Sequence, residues 1–343
     1  MNSSRRLSTL SNRSWQLTRT IATLMILLTV GSSGVWCIRR QQRQMKLDQS
    51  LVSAIKLSRS NMVRIWLDEG ADPNAQEIST VTLDFNAYLR NWEAKILSNH
   101  HAANSSPLLL ATQQAPISDD IVLLLLNKGA NTNVKDSQGY TALLYASSKG
   151  EERVSKWLVD KGAKVRISDP DGNTPLYYAV KYTDLDLTET LILHGADVNA
   201  PNNAGFTPLL SAVTAASEQG SAEVKLLLKA GAKVNATLPG RMSALMMAVI
   251  CDWTEVVKLL IMNGAYINAQ DNRGYTALTW AAFYGQTNSG RILIAAGANP
   301  NILSHDGYTA LQVARNGTRP KESFIRLLSE SRGKRNLHRK KNL

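Results

Sequence analysis

The chain of 343 residues has little of what several specialised classes of protein require. It holds two cysteines, Cys37 and Cys251, which supply neither a disulfide framework nor a zinc quartet, so a stapled secreted mini-domain and a zinc finger are excluded. Glycine (21) and proline (10) are too sparse for a collagenous chain, and 44% apolar with 19% charged residues is a globular rather than a disordered balance. Aromatic residues are scarce as well, at 6%. Long apolar runs are confined to one stretch, which rules out a multi-span membrane protein. Acidic residues are outnumbered, 27 against 39 basic, for a net charge of +12. The surplus sits at the ends. Residues 1–50 carry eight Lys/Arg and one Asp, and residues 332–343 carry six Lys/Arg and no acid, which leaves 12 − 13 = −1 for residues 51–331. The body is neutral, and a nucleic-acid-binding body is not expected.

Catalytic signatures are also missing. There is no Gly-rich phosphate loop, no Gly-x-Ser-x-Gly and no His-Glu-x-x-His. His100 and His101 are adjacent and diverge on a helix, His194 precedes a glycine, and His305 lies in a turn-rich segment, each without a ligand at metal spacing. Cys251 has no histidine near it in sequence and reads as a small buried or groove-lining thiol. The expectation is a protein that is not an enzyme and uses no cofactor or metal.

Near the N-terminus, residues 21–38 run without a charge between Arg5, Arg6, Arg13 and Arg19 on one side and Arg39, Arg40, Arg43 and Lys46 on the other. At ~1.5 Å per residue the run is about as long as a bilayer core is thick, and Trp15 and Trp36 lie where interfacial indoles prefer to be. It reads as a single membrane anchor. The competing reading is a cleaved export signal that leaves a periplasmic or secreted protein, with Ile21–Val30 as its apolar core and Ser32 and Gly34 before the cut.

The strongest signal is self-similarity. Gly-Ala pairs begin at Gly70, Gly129, Gly162, Gly195, Gly231, Gly264 and Gly297, at spacings of 59, 33, 33, 36, 33 and 33. A second landmark, Ser/Thr followed by Pro/Ala and Leu, begins at Ser106, Thr141, Thr174, Thr207, Ser243, Thr276 and Thr309. Each landmark has a physical task. The hydroxyl caps the start of a first helix, where Pro107, Pro175 and Pro208 are well tolerated. The glycine ends a second helix by taking up the left-handed conformation. One unit is therefore two antiparallel helices followed by a projecting, turn-rich connection.

The stretch Asp171-Gly-Asn-Thr-Pro-Leu-Tyr-Tyr-Ala179 through Leu191-Ile-Leu-His-Gly-Ala-Asp-Val-Asn-Ala200 resembles an ankyrin repeat. The resemblance covers residues 49–331 and implies an all-α ankyrin-repeat solenoid of about eight units, preceded by one transmembrane or signal helix and followed by a basic tail at 332–343. The histidine that such repeats place after the Leu is replaced by Leu144, Tyr177, Leu210, Met246, Thr279 and Gln312, which predicts weaker hydrogen bonding between neighbouring turns.

The resemblance also implies a non-covalent protein ligand held on the concave face by the turn tips and the ends of the first helices. The turn positions are Tyr140, Asn173, Phe206, Met242, Tyr275 and Tyr308. The helix-end positions are Ser148 with Lys149, Lys181 with Tyr182, Thr214 with Ala215, Ile250 with Cys251, and Phe283 with Tyr284. Seven of these sixteen are aromatic in a chain poor in rings, which points to an interface. Two segments stand outside the pattern. The insertion 77–105 places Phe85, Leu89, Trp92 and Ile96 along one face of a helix, which either covers the second repeat or docks a partner. The tail, with six cations, suits anionic lipid or another polyanion rather than a specific nucleic acid.

Overall fold

The computed structural model describes residues 40–75, 106–215, 220–316 and 321–330. The 21–38 segment, the helix expected at Phe85–Ile96 and the tail 332–343 lie outside the described residues. Eight two-helix units follow one another. They are α1 (40–56) with α2 (Ser60–Asp68), α3 (Pro107–Gln113) with α4 (Asp119–Asn127), α5 (Ala142–Ser148) with α6 (Glu152–Asp160), and α7 (Pro175–Lys181) with α8 (Leu185–Leu193). Units five to eight are α9 (Pro208–Thr214) with α10 (Gly220–Lys229), α11 (Ala244–Ile250) with α12 (Thr254–Met262), α13 (Ala277–Tyr284) with α14 (Thr287–Ala295), and α15 (Ala310–Asn316) with α16 (322–330). No strand occurs among the described residues; Thr237 and Ser243 form an isolated bridge.

The helix boundaries follow from the two landmarks. In units two to eight the Ser or Thr is extended or caps directly, and its hydroxyl accepts the N–H three residues on: Leu109, Leu144, Tyr177, Leu210, Met246, Thr279 and Gln312. At the other end Gly195 has φ 84°, its N–H reaches the Ile192 carbonyl, and the Ala196 N–H reaches the Leu191 carbonyl. This pair of bonds closes α8 and turns the chain outward.

First helices stack on first helices and second helices on second helices, so each unit touches only its neighbours. Alanines on the first helices, among them Ala142, Ala146, Ala179, Ala212, Ala248 and Ala281, are buried and let these short helices approach closely. On the second helices Leu158, Leu191, Leu227, Leu260 and Leu293, each four residues before its glycine, are fully buried. A full burial of this kind contributes ~2 kcal/mol per leucine. Helix α1 reaches back to residue 40, before the expected start of the repeats at 49, and Leu47, Leu51 and Ile55 on it are buried.

A recurrent asparagine ties each unit to the next. Asn133 donates from Nδ2 to the Gly162 carbonyl (3.1 Å) and accepts from the Lys164 N–H (2.8 Å). Asn199 bridges to Gly231 and Lys233, and Asn235 to Gly264 and Tyr266, in the same way. Asn268 accepts from the Asn299 N–H. Asn74 makes the same two bonds to Gly129 and Asn131, so units one and two stack directly although 59 residues separate their glycines. At the first unit Gln44 and Asp48 of α1 take the role, binding the Gly70 carbonyl and the Asp72 N–H. The exception is Arg166, whose Nε binds the Gly195 carbonyl and which offers no acceptor.

Candidate functional site: the turn tips and first-helix ends

The turns that start at Asp136, Asp169, Asn202 and Asp271 are held from within by that acidic or amide side chain. Asp136, Asp169 and Asp271 each accept two backbone N–H groups on Oδ1, from Gln138 and Tyr140, from Asp171 and Asn173, and from Arg273 and Tyr275. Their second oxygen takes a ring donor nine residues later: Tyr145 (2.6 Å), Tyr178 (2.6 Å) and the Trp280 Nε1–H (2.9 Å). The clamp pins the turn to the first helix that follows it. Burial, then the bond to Asp136, pushes the Tyr145 hydroxyl up to about 12, and burial with Asp169 pushes Tyr178 up as well. These phenols are hydrogen-bond donors and remain protonated. Among the described residues no three His, Cys, Asp or Glu side chains come together in a way that holds a metal ion.

Neighbouring turns are also joined to each other, contrary to the expectation from the missing histidines. Asn203, Asn272 and His305 donate backbone N–H groups to the carbonyls of Asp171, Gly240 and Arg273 in the preceding turns. Asn202 adds an Nδ2 bond to Asn173 (2.8 Å), and Gln270 binds the Leu303 carbonyl. Backbone groups and amide side chains do what the histidines were expected to do. The approach is close: a Cβ on Gly274 would meet the His305 nitrogen at 2.6 Å.

The sequence-predicted positions divide into two sets. Lys149 is exposed but tied down: its ammonium binds the carbonyls of Thr112, Gln113 and Gln114 at 2.6–2.9 Å, completing the C-terminus of α3, and partial burial lowers its pKa. Asn173 is tied to Asp169 and Asn202. Lys149 nevertheless remains exposed and Asn173 half-exposed while they hold these bonds. Tyr182 also caps an earlier helix, with its hydroxyl on the Ser148 carbonyl (2.8 Å), yet its ring stays 46% exposed with the Lys181 ammonium 5.9 Å above it. Tyr140 is half-buried and stacks on Tyr145. Phe206, Met242 and Ile250 are half-buried against the core, and Ser148 and Thr214 bond back into their own helices.

The second set is clustered and, apart from the half-buried Tyr275, open. Tyr275, Phe283 and Tyr284 surround Trp280 with ring centroids 5.2–5.9 Å from the indole, and Phe283 and Tyr284 meet edge to face at 5.1 Å. Phe283 is 49% and Tyr284 46% exposed, whereas Trp280 is buried. Tyr308, in the next turn, is exposed too, as is Cys251. Trp280 went unnoticed in the sequence. Its signal was the nine-residue offset from Asp271, the offset that also links Asp136 to Tyr145 and Asp169 to Tyr178.

The sequence profile described as "Ankyrin repeats (3 copies)" matches residues 89–169, 156–237, 213–304 and 245–340, most of the chain. The chain belongs to the ankyrin-repeat family. Among solved structures, the ankyrin repeat domain of Bcl-3, described as a unique member of the IkappaB protein family, is similar to it: 28% identity, a TM-score of 0.55, 66% of this chain covered and 100% of that one. No curated protein sequence matches. Of the rings exposed among the described residues, Tyr182, Phe283, Tyr284 and Tyr308 lie at these tips and first-helix ends, and Tyr266, after the Gly264-Ala265 pair, does not. Among the described residues no helix is long and apolar enough to cross a membrane; the 21–38 segment lies outside them.

Proposed function

We propose that this ankyrin-repeat protein is a non-enzymatic scaffold that binds a protein partner on its concave face, tethered to a membrane through residues 21–38. One observation carries the binding site: the Tyr275–Trp280–Phe283–Tyr284 cluster leaves two large rings about half exposed in a chain that is 6% aromatic. Rings of this kind lose little rotamer freedom on contact, and they are backed here by a buried, hydrogen-bonded indole that holds their geometry. Tyr182 and Tyr308 extend the surface to earlier and later units. The tether rests on the uncharged run with basic flanks and border tryptophans, and the basic tail 332–343 then adds attraction to anionic lipid or another polyanion. An exported protein freed by signal cleavage is the alternative for the N-terminus.

The test pairs binding with stability. With a partner identified by crosslinking to the intact chain, Phe283→Ala with Tyr284→Ala should weaken its binding by ~2 kcal/mol or more while the thermal midpoint moves little. An unchanged affinity would move recognition away from this cluster, towards Phe85, Leu89, Trp92 and Ile96. For the tether, the full chain should stay with membranes in alkaline carbonate, and a mature N-terminus near Val35 would instead establish cleavage.

A further inference from the structure

On the second helices, the position eight residues before the Gly-Ala glycine faces the stack, and it holds Val154, Leu187 and Val256 in units three, four and six, all buried. In unit five the same position is Glu223. Its side chain is 1% exposed, and neither carboxyl oxygen has a hydrogen-bond partner. A second orphan lies on the facing helix: Thr188 Oγ1 of α8 is buried and unpaired, one helical turn beyond Asp184, which caps α8. Unit seven shows how a polar group in this position is normally satisfied, because Ser289 Oγ bonds Asp252 Oδ1 at 2.7 Å.

We propose that the contact between α8 and α10 is a proton-operated joint: closed while Glu223 is neutral and loosened when it ionises. An ionised carboxylate in this slot would be shut off from bulk solvent with no donor on either oxygen, so opening the contact to hydrate it is the available relief. Among the described residues the surroundings offer no compensating cation. The helices packed on α10 are α8, α9 and α12. Helix α9 carries no charge; α8 and its cap bring Asp184, Asp186 and Glu189, with His194 just past its end; α12 brings Glu255 and Lys258. Of these, all but the half-buried Asp184 are exposed, as are Lys225 and Lys229 on α10 itself, and Asp184 repels a negative Glu223. Burial first, and Asp184 second, push the Glu223 carboxyl up to about 7, which puts the transition near neutrality. Because the folded-state pKa lies above the ordinary 4.5, the joint is most stable in acid and loses stability as pH rises from the ordinary range through about 7. The proposal stands independently of what the aromatic cluster binds.

The test is an NMR titration of the Glu223 carboxyl carbon in the full chain, run beside amide hydrogen exchange. The carboxyl should titrate near neutrality. Exchange in α8 and α10, corrected for the intrinsic effect of base, should accelerate by about tenfold or more between about pH 5 and about pH 8, while α5 and α6 stay level. Glu223→Leu, which restores the residue type of the other units, should abolish the acceleration, and Asp184→Asn, still able to cap α8, should lower the Glu223 midpoint. A carboxyl that titrates in the ordinary range, an acceleration that survives Glu223→Leu, or one shared equally by α5 and α6 would overturn the proposal.

Discussion

Two stretches of the same array, units four and five against units six and seven, are built from the same parts and satisfied to different degrees. Around Gly264 and Gly297 the asparagines Asn235 and Asn268 are in place, Trp280 fills the free oxygen of Asp271, and Ser289 has Asp252 for a partner. Around Gly195 and Gly231 an arginine replaces one asparagine, the turn starts with Asn202 rather than an aspartate, and Thr188 and Glu223 are left without partners. Both stretches bury the same leucines, Leu191 and Leu227 against Leu260 and Leu293. Apolar packing therefore does not separate them. What differs is whether each buried polar group meets its complement, and that decides which joints are firm.

The contrast can be broken from its firm side. Gly274→Val should cost ~3 kcal/mol or more, because φ there is 74° and the new side chain would meet the backbone of Ser304 and His305. A urea midpoint equal to that of the parent would show that the turns do not bear on one another. From the other side, Glu223→Leu should raise stability by roughly 3 kcal/mol at alkaline pH and by much less in acid, since the shift from 4.5 to about 7 acts only once the carboxylate ionises. Urea titrations at the two pH values measure both. Trp280→Phe keeps the ring and removes the donor to Asp271, so a loss of ~2 kcal/mol is expected, with hydrogen exchange rising in the Asp271–Tyr275 turn. The smallest effect belongs to Arg166→Asn. It would supply the acceptor that the Asp197 N–H lacks in this rung and should stabilise units three and four by about 0.5 kcal/mol.

Much of this fold was legible because its landmarks act locally. A threonine cap and a left-handed glycine each settle a helix end within three or four residues, and Thr174 and Gly195 do so as expected. The groups that join one unit to the next were harder to see. Asn133 and Gly162 lie 29 residues apart, and nothing in the residues around Asn133 names a partner at that distance. The start of α1 was hidden for a related reason: Gln44 and Asp48 read as part of a basic leader until their bonds to Gly70 and Asp72 are seen. The candidate surface was half legible. Residue type picked out Phe283 and Tyr284, but whether a side chain at such a position stays open or caps its neighbour depends on reach, as Lys149 shows.

The bond between Asn74 and Gly129 has one more consequence. Together with the packing of α2 against α4, it holds the first two units in direct contact although their glycines are 59 residues apart. The entropic cost of bringing two parts of a chain together grows only slowly with their separation in sequence, by ~0.6 kcal/mol for each doubling. Units one and two are thus neighbours in space without being, as the other consecutive units are, neighbours in sequence.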